Sequence, residues 1–448
     1  GIASADEGVT RNVDRMPLDA DKYIPMPFPQ ERIKTKQQVA APSSVKAVAY
    51  NPETKKEVVV DLQSLSREIA SFISTPGSLG RTSSTNSNEQ IGLENWTDIS
   101  AVGNTQDYPW RVKVKLFQEY PNGGKYVCSG TMIQPAYAIT AGHCINDGSG
   151  GAWAKSVTVV PGYRDDWAPY GSAYATNLLS FSPWVYDGNF NYDIGVIALD
   201  RAIGATVGWH GFGYTTDRSF YLNNVFNNAG YPAEAKYGFT GKTLYYRYGY
   251  NDDFADDWGR PYVVRFWKPS WGGHSGSSMY IYYPDTGWRG VYGILSTSDR
   301  VSNTGIVIMD EYEFNTIRNY TGASAPAFDL TPLGVTTKSI GSSDSRQMEM
   351  AYIAHNSSSA SWSGTVTASV YLSKNENISA SDTLIQKHSF KADFGPWSSA
   401  EVKVPLVSIP ENMAKGIYYL GVVLDIDDGN TLNNDSDGQD AAKVAVLN

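Results

Sequence analysis

Cysteine is nearly absent from this chain, with two in 448 residues. That is too few for a disulfide framework and too few for a cysteine-based metal cluster, so no metal and no cofactor are expected. Cys128 and Cys144 are close enough along the chain for a bridge closing a strand-turn-strand excursion, and the same spacing suits two buried thiols. Charge is also sparse: Asp, Glu, Lys and Arg make up 18% against 41% apolar residues, and the net charge is -10. Without a basic excess there is no face to displace counterions from a phosphate backbone or to hold anionic lipid, and no nucleic acid partner is expected. Long apolar runs are missing, since none reaches the roughly 18 residues that a membrane-spanning helix needs. The sequence opens on Gly1-Ile2-Ala3 with no Met, basic stretch or apolar leader, so the expectation is an exported, extracellular protein whose signal is not in this sequence.

What is abundant points to strands. With 42 Gly and 30 Tyr, short strands joined by turns fit better than long charged helices. A chain of this length exceeds one usual core, so two or three domains are expected.

Residues 1–42 are rich in Pro and charge without a clean period and read as extended. Val45 to Tyr50 and Glu57 to Val60 flank the turn Asn51-Pro52-Glu53-Thr54, which predicts a hairpin. Leu62, Leu65, Ile69 and Phe72 step by three and four, the spacing of a short amphipathic helix ending before Pro76-Gly77. Gly77 to Asn88 is polar and reads as an exposed linker, the kind of segment proteases cut. From Ile91 to Gly322 short apolar runs alternate with Gly, Asn and Asp clusters: Trp110 to Phe117, Tyr137 to Thr140, Val157 to Val160, Ile194 to Leu199, Leu244 to Tyr248, Tyr262 to Phe266, Ser278 to Tyr282 and Gly290 to Leu295. This pattern predicts paired antiparallel barrels with a short closing helix over Glu311 to Asn319. After a linker at 323–329, residues 330–448 again read as strands with the spacing of an immunoglobulin-like sandwich.

Two stretches carry chemistry. Thr140-Ala141-Gly142-His143-Cys144 offers an imidazole base, and Gly272-Gly273-His274-Ser275-Gly276-Ser277 offers a hydroxyl nucleophile in a backbone flexible enough to aim two amides at one oxygen. The backbone N–H groups of Gly273 and Ser275 are the expected oxyanion donors. A third group must orient the base, and Asp193 interrupts the apolar strand Ile194-Gly195-Val196-Ile197 at its start. A buried lone carboxylate is costly, which argues for a histidine partner, while a surface Asp at the strand entrance is the alternative reading.

Together these stretches resemble the chymotrypsin-fold serine endopeptidases over residues 91–322, including the chain order His143, Asp193, Ser275. The likeness is greatest to the bacterial glutamyl endopeptidase, or V8-like, group, through Pro169-Tyr170-Gly171-Ser172, Asn191-Tyr192-Asp193, Thr206-Val207-Gly208, Gly230-Tyr231-Pro232 and Gly272-Gly273-x-Ser275-Gly276-Ser277. The resemblance implies two antiparallel six-stranded barrels, a His143-Asp193-Ser275 triad acting on protein or peptide substrates, and a disulfide between Cys128 and Cys144. It places Pro269, Ser270, Leu295, Ser296 and Ser298 at the substrate pocket. The chain departs from the group where Gly293-Ile294-Leu295 replaces a Gly-Ile-His setting, since leucine cannot bond a P1 glutamate. Lys268, Arg300 or an N-terminal ammonium are then the candidates to attract an acidic P1 side chain, with a small or apolar P1 as the other reading. His274 is expected to be a local structural residue.

Residues 1–90 resemble a propeptide, with cleavage expected near Gln90-Ile91 or Arg81; a permanent arm on the barrels is the alternative. Residues 330–448 resemble the CARDB type of extracellular adhesion module through Val370-Tyr371-Leu372-Ser373, Ile378 to Leu384, Gly416 to Gly421 and Asp427 to Asn434. That implies attachment to substrate or cell surface. The acid-rich Asp425-Ile426-Asp427-Asp428-Gly429-Asn430 reads as a solvated turn or a Ca²⁺ loop. A monomer is expected. The competing class is an idle binding or adhesion protein that keeps the barrels as a scaffold.

Overall fold

A computed structural model describes residues 2–4, 17, 19–33, 40, 44–60, 95–321, 328–341, 346–358 and 360–447. The expected helix over Leu62 to Phe72, the linker Gly77 to Asn88 and the cleavage positions Arg81 and Gln90-Ile91 lie outside the described residues.

The chain is mainly β. Lys113–Glu119, Lys125–Gln134, Tyr137–Thr140, Ser156–Pro161, Ala173–Phe181 and Gly195–Leu199 pair in a cycle that ends with Ala173–Phe181 bonded to Gly195–Leu199, a closed six-stranded antiparallel barrel. Closure joins the last strand of the cycle to its first, and the interior is filled by residues such as Val114, Leu116, Ile139, Leu178 and Val196. The expected strand at Trp110 starts later than the apolar run: Trp110–Val112 is a 3-10 turn following Pro109, whose ring removes an amide from any ladder. The N-terminal hairpin forms as Ala47–Asn51 and Lys56–Val60 and adds to this sheet through Ala173–Phe181.

A second sheet runs in the order Asp253–Ala255, Arg260–Phe266, Thr304–Ile308, Trp288–Ser298, Ser278–Tyr283, Phe226–Gly230, Tyr245–Gly249 and Ser100–Ala101, with Gly211–Phe212 pairing off the path. Its first and last strands, of three and two residues, are not paired with each other among the described residues. Closure into a barrel requires the two edge strands to meet, and among the described residues that pairing is not made.

The closing helix is present as Glu311–Thr321. Asp310 and Glu313 bond each other's backbone amides reciprocally, a capping box that sets its start, and Phe314 and Ile317 face the core.

Residues beyond 328 form two further sheets. Leu330–Ser339, Gln347–Asn356 and Ser399–Ser408 make one; Ile2–Ser4, Ala442–Val446, Gly416–Asp425, Trp362–Ser373 and Thr383–Phe394 make the other. Both contribute alternate residues, among them Tyr352, Val404, Val370 and Leu420, to one apolar core. The pairing of Ile2–Ser4 with Ala442–Val446 brings the start of the chain to this unit. In the acid-rich loop, Asp428 accepts the amides of Leu330 and Asn430.

Candidate active site

His143 follows the barrel strand Tyr137–Thr140 on the short helix Gly142–Ile145. Asp193 follows the 3-10 turn Phe190–Tyr192 and precedes the strand Gly195–Leu199, which pairs with Tyr137–Thr140. The pairing sets base and acid side by side. His143 Nδ1 lies 2.7 Å from Asp193 Oδ2, and the His143 amide donates to Asp193 Oδ1 at 2.7 Å. Gly142 permits the approach, since a Cβ there would meet Trp184 at 2.8 Å and Asp193 Oδ1 at 3.1 Å. The Ser296 hydroxyl donates to Asp193 Oδ2 at 2.6 Å. Asp193 is thus fully buried and holds three hydrogen bonds.

Ser275 reaches this pair through its backbone. Gly276, at φ +86°, packs so tightly that a Cβ would fall 2.0 Å from Thr140 Oγ1, 2.2 Å from Ser129 O and 3.1 Å from the Ala141 amide nitrogen. The Ser275 carbonyl accepts the Ser129 amide at 2.8 Å, and Cys128 beside it is disulfide-bonded to Cys144. Gly273, at φ +97°, is likewise confined to glycine, because a Cβ would meet Tyr231 O at 2.4 Å. Among the described residues the amides of Gly273 and Ser275 donate to no other group. His143 Nε2 and Ser275 Oγ are buried and have no hydrogen-bond partner there either. One base nitrogen, one hydroxyl and two amides are therefore left for a substrate.

His274 is fully buried with neither ring nitrogen bonded; burial, with Arg247 nearby, pushes its pKa well down. A neutral, enclosed imidazole cannot serve as an acid, in keeping with a structural place.

Of the residues expected to line the pocket, Pro269, Ser270 and Ser298 are linked by hydrogen bonds and Leu295 bonds the residue after Ser275. The Ser270 amide donates to Ser298 Oγ at 2.8 Å; the Ser270 and Thr304 hydroxyls meet at 2.6 Å; the Leu295 carbonyl accepts the Gly276 amide at 2.9 Å; the Pro269 carbonyl accepts from Arg247 at 2.7 Å. The hydroxyl of Ser296, the fifth, turns to Asp193. The sequence shows a Ser-Thr-Ser run, and alternation along a strand sends neighbouring side chains to opposite faces, but which face meets Asp193 depends on the fold. Lys268 is ion-paired with Asp98 at 2.8 Å, and Arg300 with Glu31 and, at 2.6 Å, with Glu234.

The sequence reading missed how the N-terminal segment is seated. Ile24–Pro25 runs parallel to Tyr126–Val127, and the Met26 amide donates to Val127 O. A Cβ on Gly272 would lie 2.7 Å from Pro25 Cβ. Phe28 is fully buried in an apolar cluster with Leu295 and Phe266, with the Arg300 guanidinium 4.9 Å from its ring centre. The Gln30 amide donates to Ser298 O at 2.6 Å, and Arg32 pairs with Asp147 at 3.4 Å. His143 and Ser275 are both 0% exposed.

Residues 100–248 match the Trypsin family, a span that contains His143 and Asp193 and stops before Ser275. The chain is 32% identical over 198 residues to an "Extracellular metalloprotease" of Bacillus subtilis, covering 44% of this chain and 59% of that protein. It is 35% identical over 183 residues to a "Glutamyl endopeptidase" of Bacillus licheniformis, covering 41% and 52%. The chain thus spans between half and three fifths of the length of these curated relatives. Among solved structures it is similar to the protease Anisep from Arthrobacter nicotinovorans, at 24% identity and a TM-score of 0.43 over 51% of this chain and all of that one. A Glu endopeptidase in complex with MPD gives 24% and 0.41 over 52% of this chain and 98% of that one. A metalloprotease needs a cluster of donor side chains, and among the described residues no group of three or more His, Cys, Asp or Glu is placed to hold a metal ion. No helix among them is long and apolar enough to cross a membrane. The segment that holds His143 and Asp193 is thus similar to the Trypsin family.

Proposed function

We propose that this protein is a secreted serine endopeptidase in a latent form. Ser275 attacks the scissile carbonyl; His143 takes its proton at Nε2 and returns it to the leaving amine; Asp193 holds the imidazole in the tautomer with its proton on Nδ1. The Gly273 and Ser275 amides take the developing oxyanion. The observation that carries the reading is the double clamp of Asp193 on the His143 ring and backbone, both at 2.7 Å, which leaves only Nε2 to act. No cofactor is needed for this chemistry, and an acidic P1 residue is the proposed preference.

Residues 1–90 are proposed to be a propeptide, 91–322 the protease domain with its second sheet as a second barrel, 323–329 a linker and 330–448 a CARDB-like, immunoglobulin-like module that attaches the enzyme to substrate or surface. The contacts of Pro25, Phe28, Gln30 and Glu31 with Gly272, Leu295, Ser298 and Arg300 support the propeptide over a permanent arm, since they occupy the walls a substrate would touch. The two sheets sharing one core support the sandwich. The closed cleft also bears on the idle-scaffold reading: residues upstream of the domain cover it, while the chemistry beneath stays assembled.

A fluorophosphonate probe tests the proposal on the full chain before and after limited proteolysis of the N-terminal segment. Labelling is expected to rise at least tenfold on processing and to vanish in Ser275→Ala. Absence of Ser275-dependent labelling after processing rejects the enzyme.

A further inference from the structure

Arg247 lies on the strand Tyr245–Gly249 and is 1% exposed. Its three hydrogen bonds all go to neutral acceptors: Asn228 Oδ1 at 3.2 Å, the Pro269 carbonyl at 2.7 Å and the Ser270 hydroxyl at 2.5 Å. Unlike Arg300 and Lys268, it has no carboxylate partner among the described residues. Three hydrogen bonds take up three of the fork's five donors and do not neutralise the charge, and an uncompensated buried cation is costly unless something else supplies the anion. Its nearest polar neighbours, Pro269 and Ser270, stand just before the nucleophile and beside Ser298 and Thr304.

We propose that Arg247 is the positioning residue for acidic substrates, its charge and its bond to the Ser270 hydroxyl making the pocket before Ser275 complementary to a side-chain carboxylate. This rests on the serine endopeptidase reading and explains how acidic selection survives with Leu295 where a histidine is absent. The proton geometry is favourable. Thr304 Oγ1 donates to Lys268 O at 2.8 Å, so in its contact with Ser270 it accepts. Ser270 therefore accepts from Arg247 and holds one proton on Thr304 that a carboxylate can claim by rotation of the hydroxyl. The guanidinium polarises that O–H in a buried, weakly screened site, which strengthens it as a donor.

The test measures kcat/KM on the processed full chain for peptides differing only in P1 Glu or P1 Gln, an isosteric pair whose ratio reports charge recognition. The wild-type ratio is expected to exceed about 100. Arg247→Met is expected to lower it at least tenfold, Arg247→Lys to keep it within about threefold of wild type, and Ser270→Ala to lower it as well. A merely structural arginine would move both substrates together and leave the ratio alone. Should Arg247→Met fail to fold, Ser270→Ala and the salt dependence of the wild-type ratio still decide: a buried charge predicts less than a twofold change between about 0.05 and 1 M NaCl. A ratio that collapses in salt, or that Ser270→Ala or Arg247→Met leaves unchanged, overturns the proposal. Ser275-dependent hydrolysis without preference for Glu overturns it while the endopeptidase reading stands; no Ser275-dependent hydrolysis overturns both.

Discussion

Asp193 is fully buried and takes three hydrogen bonds, from the His143 ring, the His143 amide and the Ser296 hydroxyl. Together the three donors leave the carboxylate no freedom to rotate. Asp193→Asn would turn an amide toward Nδ1 and stabilise the wrong tautomer, so kcat is expected to fall about 10⁴-fold in steady-state hydrolysis with folding intact. Ser296→Ala removes one donor and keeps the clamp; kcat should fall about tenfold with little change in KM, consistent with a roughly 1.4 kcal/mol hydrogen bond to a charged group. An unaltered kcat in Ser296→Ala would mean that the hydroxyl serves packing alone. His143, Asp193 and Ser275 were legible in the sequence because each stands among small or apolar residues where a polar side chain needs a reason. Ser296 and Arg247 were not, since a serine in Ser-Thr-Ser and an arginine in Tyr-Tyr-Arg-Tyr-Gly look like ordinary strand residues until their partners from distant strands are in place.

At the scale of elements, the disulfide and the N-terminal segment do different work around the same cleft. Cys128–Cys144 ties Lys125–Gln134 to the helix that bears His143. Replacing both cysteines by serine is expected to cost about 3 kcal/mol, seen as a lower denaturant midpoint, from the entropy returned to a short unfolded loop. The segment from Ile24 to Ile33 binds through one buried ring and three polar contacts to cleft walls. In the unprocessed chain, Phe28→Ala combined with Glu31→Gln should raise the rate of fluorophosphonate labelling at least tenfold, because a buried Phe truncation alone costs about 3 kcal/mol of seating energy. An unchanged rate in this double variant would place the inhibitory contact elsewhere. Strand content was readable from the short apolar runs, and the helix Glu311–Thr321 stands where the sequence predicts one. The barrel closure was not: whether Ala173–Phe181 returns to Gly195–Leu199 is a matter of twist and register between strands far apart in sequence.

Across the whole molecule, the C-terminal unit is docked on the closed barrel by few contacts of high quality. Arg201 Nη2 lies 2.5 Å from Asp440 Oδ1 with both side chains about one tenth exposed, Gln439 Oε1 accepts the Ser172 amide at 2.7 Å, and Leu333 and Ile353 pack on Ala205. Arg201→Met would leave Asp440 charged and largely enclosed, and a loss of about 2 kcal/mol is expected in thermal unfolding. Buried histidines couple both units to pH. Burial pushes the His355 pKa down to about 4 and holds those of His210 and His274 well below the usual range. The unfolded chain then binds protons that the folded chain refuses. Stability is full above about pH 6.5 and declines as pH falls toward 4, by up to about 3 kcal/mol for His355 alone. His355→Gln should flatten the dependence of the unfolding free energy on pH over that window; an unaffected slope would show that His355 titrates normally.

The sequence by itself determined the strand-rich class and singled out His143, Asp193 and Ser275, because hydrophobic alternation and the chemistry of isolated polar residues are local properties. Only the tertiary structure decided that Ser296 serves Asp193, that Arg247 underlies Ser270 with no carboxylate partner among the described residues, and that Phe28 and Glu31 stand on the cleft walls. Each of these is a contact across many intervening residues, created by barrel closure and sheet register, and no local pattern encodes which distant partner a side chain meets.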